Sequence, residues 1–111
     1  MKPKVKNEKK RKGVIQIALS GDLTLKYHKE LSSIFNSIDV TSEVIELRLD
    51  QPSAIDLSFL QMLAAYRTER KRKGKLLYVS ALLSEADEKL ISRTGFSPLL
   101  SDHEPVNNYV L

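Results

Sequence analysis

The chain has 111 residues, 18 of them Lys or Arg against 14 Asp or Glu, and no cysteine. That length suits one hydrophobic core and not two, and the missing cysteines exclude a disulfide framework and any thiolate metal site. No apolar run approaches a membrane span and the lysine-rich start lacks the apolar segment of a signal peptide, so no membrane span is expected and the cytoplasm is the expected compartment.

The net charge of +4 is unevenly placed. Residues 1–12 hold Lys2, Lys4, Lys6, Lys9, Lys10, Arg11 and Lys12 against Glu8 alone, leaving residues 13–111 mildly acidic. The first twelve residues therefore read as a basic N-terminal tail or, at Lys4-Val5-Lys6, a short edge strand whose lysines discourage stray pairing. A basic tail suits a nucleic acid or an anionic membrane surface. No aromatic is interleaved to stack on bases, so no nucleic-acid partner is expected and a solvated leader is the plainer reading.

From Gly13 onward strands and helices alternate. Val14 to Leu19 is apolar apart from Gln16 and reads as a central strand. Gly21-Asp22-Leu23-Thr24 turns into a helix, Thr24 its expected cap, with Tyr27, Leu31, Ile34, Phe35 and Ile38 at helical spacing. Thr41-Ser42-Glu43 leads into Val44 to Asp50, where Ile45, Leu47 and Leu49 share one face and Glu46 and Arg48 the other, as in a half-buried strand. Gln51-Pro52-Ser53 breaks that pattern. Leu57 to Lys73 then reads as a helix closed by Gly74, with Leu60, Leu63, Ala64 and Arg67 on one stripe and Phe59, Met62 and Tyr66 beside it. Leu76 to Val79 is the next strand. Ser84 opens a third helix as a capping-box-like start, with Leu83, Ala86, Leu90 and Ile91 inward. Pro98 is expected to end regular structure, and Val106 to Leu111 to hold a shortened last strand and helix. The order β-α-β-α-β-α predicts an α/β fold: one domain over residues 13–111, a mixed sheet with helices mainly on one face.

An acid and a serine, Asp56 and Ser58, sit where a strand hands over to a helix. Free backbone N–H groups at such a helix start favour negative charge, phosphate included. Asp56-Leu57-Ser58-Phe59-Leu60 resembles the Asp-Ser-Ser-Gly-Leu turn of the STAS domain family, whose bacterial anti-sigma factor antagonists are phosphorylated on the second serine. Gly21-Asp22-Leu23 is similar to that family's Gly-Glu-Leu, Leu60-Gln61-Met62-Leu63 to the Leu-Gln-Leu-Leu of chemotaxis-associated members, and Gly95-Phe96 to a common ending. The resemblance covers roughly residues 13–96. It implies a STAS-like fold, no cofactor, and a phosphorylation candidate at Ser58. Two positions depart from the pattern: Leu57 replaces a small hydroxyl residue and Phe59 a glycine, both bulky where a kinase would have to fit. On the residues alone, Ser58 also reads as a plain N-cap.

Nothing in the sequence points to catalysis. His28 and His103 lack metal-ligand spacing, and no glycine-rich phosphate loop, serine elbow or His-Glu zinc signature appears. Asp22 and Asp56 fall in loops that the family places on one rim, where they would face a partner and not act as a catalytic pair. Arg67 to Lys73 is basic enough to suggest phosphate contacts, but cations in a last helical turn complement its negative end. Three large apolar residues, Leu57, Phe59 and Met62, crowd the start of one helix. They are expected either to leave Phe59 or Met62 exposed as a protein interface or to pack under the Gly21–Thr24 loop.

Two functions are expected from this. One is a non-enzymatic interaction module, anti-sigma factor antagonist-like, that binds a protein partner through Asp22, Asp56, Leu57, Ser58, Phe59 and Met62 and is switched by phosphate on Ser58. The other is a constitutive STAS adaptor in a chemotaxis or lipid-transport assembly. The sequence names no partner and no oligomeric state.

Overall fold

The computed structural model describes residues 2–11, 13–38 and 42–101. In chain order it contains β1 (Lys4–Arg11), β2 (Val14–Ser20), β3 (Asp22–Leu23), a 3-10 turn (Leu25–Tyr27), α1 (His28–Ser37), β4 (Val44–Asp50), β5 (Ala54–Ile55), α2 (Leu57–Arg72), β6 (Leu76–Leu82), α3 (Glu85–Arg93) and α4 (Ser97–Ser101). Thr41, His103 and the stretch from Val106 to Leu111 lie outside the described residues.

The main sheet has the order β1-β2-β4-β6. β1 runs antiparallel to β2, while β2, β4 and β6 are mutually parallel, so the α/β sheet is mixed as expected. The parallel pairs need crossovers, and α1 and α2 supply them. Period-two alternation decides what is buried. Ile15, Ile17 and Leu19 of β2 stand in register with Ile45, Leu47 and Leu49 of β4, which face Leu77, Val79 and Ala81 of β6. These side chains form one core with Leu31 and Phe35 of α1, Phe59, Leu60 and Leu63 of α2, Ile91 of α3 and Leu99 of α4. All four helices therefore cover the same face. Leu19, Ile45, Leu49, Leu63 and Val79 have no exposed surface, each contributing about 1.5–3 kcal/mol by leaving water. The opposite face stays half-exposed and polar: Gln16 Nε2 donates to Glu46 Oε1 across the strands, and Arg48 pairs with Asp50 at 3.6 Å.

Of the two readings of the basic N-terminal segment, the structure has the edge strand, eight residues long and not confined to Lys4-Val5-Lys6. It pairs with β2 from Lys4–Ser20 to Arg11–Val14, with a shift between Asn7 and Lys9 that marks a bulge. Its start is anchored at Gly21, whose φ of +88 is left-handed and whose missing Cβ leaves room for the backbone carbonyl of Lys2.

Local endings follow the sequence in most places. α2 closes on Gly74 (φ +75) in a Schellman arrangement, the Lys75 N–H donating to the Arg70 carbonyl at 2.9 Å and the Gly74 N–H to that of Lys71 at 3.0 Å. Ser84 caps α3, its hydroxyl accepting from the Asp87 N–H at 3.1 Å. Three expectations fail. Thr24 makes no cap; its hydroxyl donates to the Asp22 carboxylate at 2.6 Å, and the chain takes a 3-10 turn before α1 begins. Ala86 is exposed, because α3 turns Ile91 to the core one face away. Pro98 does not end regular structure: it lies in the first turn of α4, where its missing N–H costs nothing.

Candidate partner-binding rim

Because β2, β4 and β6 are parallel, their carboxyl ends open onto one rim, the edge at which open α/β sheets collect binding loops. The loops there are built around Asp56. Its backbone is extended (φ −133, ψ 175), and its carboxylate does two jobs. Oδ1 accepts from the Phe59 N–H at 3.0 Å, capping α2, and Oδ2 accepts from the Leu25 N–H at 2.8 Å, tying the loop after β3 to the same helix start. The pairing of β3 with β5 and a bond from the Ser53 N–H to the Gly21 carbonyl, 2.8 Å long, hold these loops together from below.

This geometry corrects two site readings. The N-cap is Asp56, not Ser58; Ser58 is the second residue of the helix and is half-buried. Phe59 is not exposed. It retains 1% of its surface and packs near Phe35, ring centroids 6.5 Å apart, because the third helical position turns toward the sheet. Met62 is partly buried against the same core. Of the crowded apolar three, Leu57 is the one left outside, at 43% exposure. Asp22 is half-buried at the rim, holding the Thr24 hydroxyl.

Sequence reasoning missed two members of this surface. Leu25 is the most exposed large apolar residue described, at 63%, and the shared Asp56 carboxylate brings it beside the start of α2. Leu82 ends β6 at the same rim, also exposed. Extending the alternation of Leu77, Val79 and Ala81 by one residue points Leu82 outward; Leu25 carries no local signal.

The chemistry available here is modest. The Phe59 N–H is already committed to Asp56, so a carboxylate of the chain itself occupies the anion-favouring helix start. Among the described residues no group of three His, Cys, Asp or Glu side chains is placed to hold a metal ion, and no helix is long and apolar enough to cross a membrane. The sequence matches no family model and no curated protein sequence.

Proposed function

We propose that this chain is a non-enzymatic, cytoplasmic protein-interaction module of STAS type, working without a cofactor and docking on a protein partner through the rim that Asp56 organises. The observation carrying this is the pair of exposed leucines, Leu25 and Leu57, on two backbone segments that the Asp56 carboxylate ties together, with Ser58 and Asp22 next to them in sequence or loop. Apolar side chains on loops whose backbone is already bonded in place suit docking, since less ordering remains to be done on binding. The strand-helix order and one-sided helix layer are consistent with the resemblance at Asp56 to Leu60.

Phosphate on Ser58 is the proposed switch of an anti-sigma factor antagonist-like module. It adds roughly −1.5 to −2 charges at pH 7, two residues from a carboxylate that already holds the helix start and the Leu25 loop. Repulsion there would loosen the Asp56–Leu25 bond and displace Leu25. The constitutive adaptor reading, in a chemotaxis or lipid-transport assembly, draws support from a different observation: exposed Leu57 flanks a half-buried Ser58, which hinders a kinase.

Affinity for the partner recovered from the native host separates these. Ser58 is not the cap, so Ser58→Ala should leave both stability and binding nearly unchanged, whereas Ser58→Asp should weaken binding at least tenfold. Equal affinity of wild type and Ser58→Asp, with no phosphate on Ser58 by mass spectrometry, would leave the adaptor reading. Full affinity after a joint Leu25→Ser, Leu57→Ser change would remove the rim as the docking surface.

A further inference from the structure

Gly21 is a junction between the edge of the sheet and the rim. The β1–β2 ladder ends at the Lys4–Ser20 pair. Carried on, its register brings Pro3 and Lys2 alongside Gly21 and Asp22, but Pro3 has no N–H with which to extend the ladder. The two residues are seated by contact: a Cβ on Gly21 would overlap the Lys2 carbonyl oxygen and come within 3.1 Å of the Pro3 Cα. Pro3 fixes its own φ and restricts Lys2 to extended backbone, so the segment reaches this seat with little freedom left to lose.

The other side of Gly21 belongs to the rim. Its carbonyl accepts from the Ser53 N–H at 2.8 Å, fastening the segment between β4 and β5. Gln51 opens that segment with a left-handed φ of 47, a conformation that a residue other than glycine keeps only where its surroundings impose it. β3 begins directly after Gly21 and pairs with β5 through Asp22–Ala54 and Leu23–Ile55. Asp56 follows β5 and accepts from the Leu25 N–H at 2.8 Å. Backbone contacts therefore run without a break from Lys2 through Gly21 and Ser53 to the exposed Leu25.

We propose that Lys2 and Pro3 form a strap that holds the rim. Seated on Gly21, it fixes the Gln51–Ser53 segment and, through Asp56, the Leu25 loop; lifted, it lets both loosen. The position of the strap makes it a device and not a fixed brace. It leads into β1, which ends the strand order of the sheet, and chain ends of this kind open at free energies far below that of global unfolding. Lys2 is exposed and Pro3 half-buried, so little apolar burial opposes the opening. The strap is a property of the chain itself, while its effect on docking rests on the rim being the docking surface. By linkage, whatever draws residues 2–3 off Gly21 lowers affinity at that surface.

The test is amide hydrogen exchange of the full chain, which needs no partner. It is read at the Ser53 and Leu25 N–H groups, with the Lys75 N–H beyond the far end of α2 as reference. Gly21→Ala is compared with Gly13→Ala. Both glycines have left-handed φ, +88 and +77, but a Cβ on Gly13 meets nothing within 4 Å, so that variant carries the backbone strain without touching the strap. Pro3→Gly frees the strap and leaves Gly21 intact. Relative to Lys75, the Ser53 and Leu25 N–H groups should exchange at least tenfold faster in Gly21→Ala, at least threefold faster in Pro3→Gly and less than twofold faster in Gly13→Ala. Equal acceleration by the two glycine changes would make strain the cause, and wild-type rates in Pro3→Gly would make Gly21 itself the anchor; either result overturns the strap. Where Gly21→Ala does not fold, Pro3→Gly against Gly13→Ala decides. Loss of the docking reading leaves these rates unchanged, so the two fail separately.

Discussion

Asp56 makes two hydrogen bonds from one carboxylate, to N–H groups three and thirty-one residues away in sequence. Asp56→Ala loses a helix cap, worth about 0.5–2 kcal/mol, together with the bond to the solvent-facing Leu25 N–H. Chemical denaturation should show a loss of about 1–3 kcal/mol, with Asp56→Asn, which can still cap, costing less than about 1 kcal/mol. Tyr66 shows the opposite balance. It stacks on Phe35 with centroids 4.8 Å apart, but its buried hydroxyl has no hydrogen-bond partner among the described residues. Burial pushes its pKa above the usual 10.0, and the nearby Arg70 offsets this only partly. A phenol whose pKa is higher in the fold contributes stability below pH 10 that is lost as pH rises through the folded value. Tyr66→Phe should therefore match or exceed wild type at pH 7, by up to about 1 kcal/mol, and the difference should grow in its favour near pH 11. A neutral-pH loss above that size would mean that the hydroxyl is bonded after all.

At the level of elements, β1 takes the edge-strand alternative expected at Lys4-Val5-Lys6 and extends it to Arg11. Its composition, five basic residues and Glu8 in eight positions, resembles a solvated tail, yet it pairs with β2 along its length. Strand pairing draws on backbone groups, which composition does not report, and the lysines are tolerated because an edge strand has only one neighbour. Deleting residues 2–11 should leave β2, the strand with the most buried positions, with an unpaired edge. The expected outcome is a lower melting temperature, by more than 10 °C, and association visible by size-exclusion chromatography. A truncated chain that melts like wild type as a monomer would restore the tail reading. α2 is the second informative element, because its two ends do different work: the first turn is fastened to the rim, and the Schellman close delivers Lys75 to the start of β6.

At the scale of the whole molecule, among the described residues, Asp22, Asp50, Asp56 and Glu85 sit toward the carboxyl ends of the parallel strands together with Lys4 and Lys26, and Lys71, Arg72, Lys73 and Lys75 toward their starts together with Glu43 and Glu69. The sequence by itself determined the α/β class, the inward faces of β2, β4 and β6, the close of α2 at Gly74 and the cap of α3 at Ser84. Those features arise from contacts within a few residues, where a period of two or 3.6 and a capping side chain act directly. Tertiary structure alone decided which of Leu57, Phe59 and Met62 stays outside, since that depends on the angle at which α2 meets the sheet. It also decided that Asp56 reaches Leu25 and that Lys2 and Pro3 seat on Gly21. These meetings join residues on separate elements, and no local periodicity encodes them.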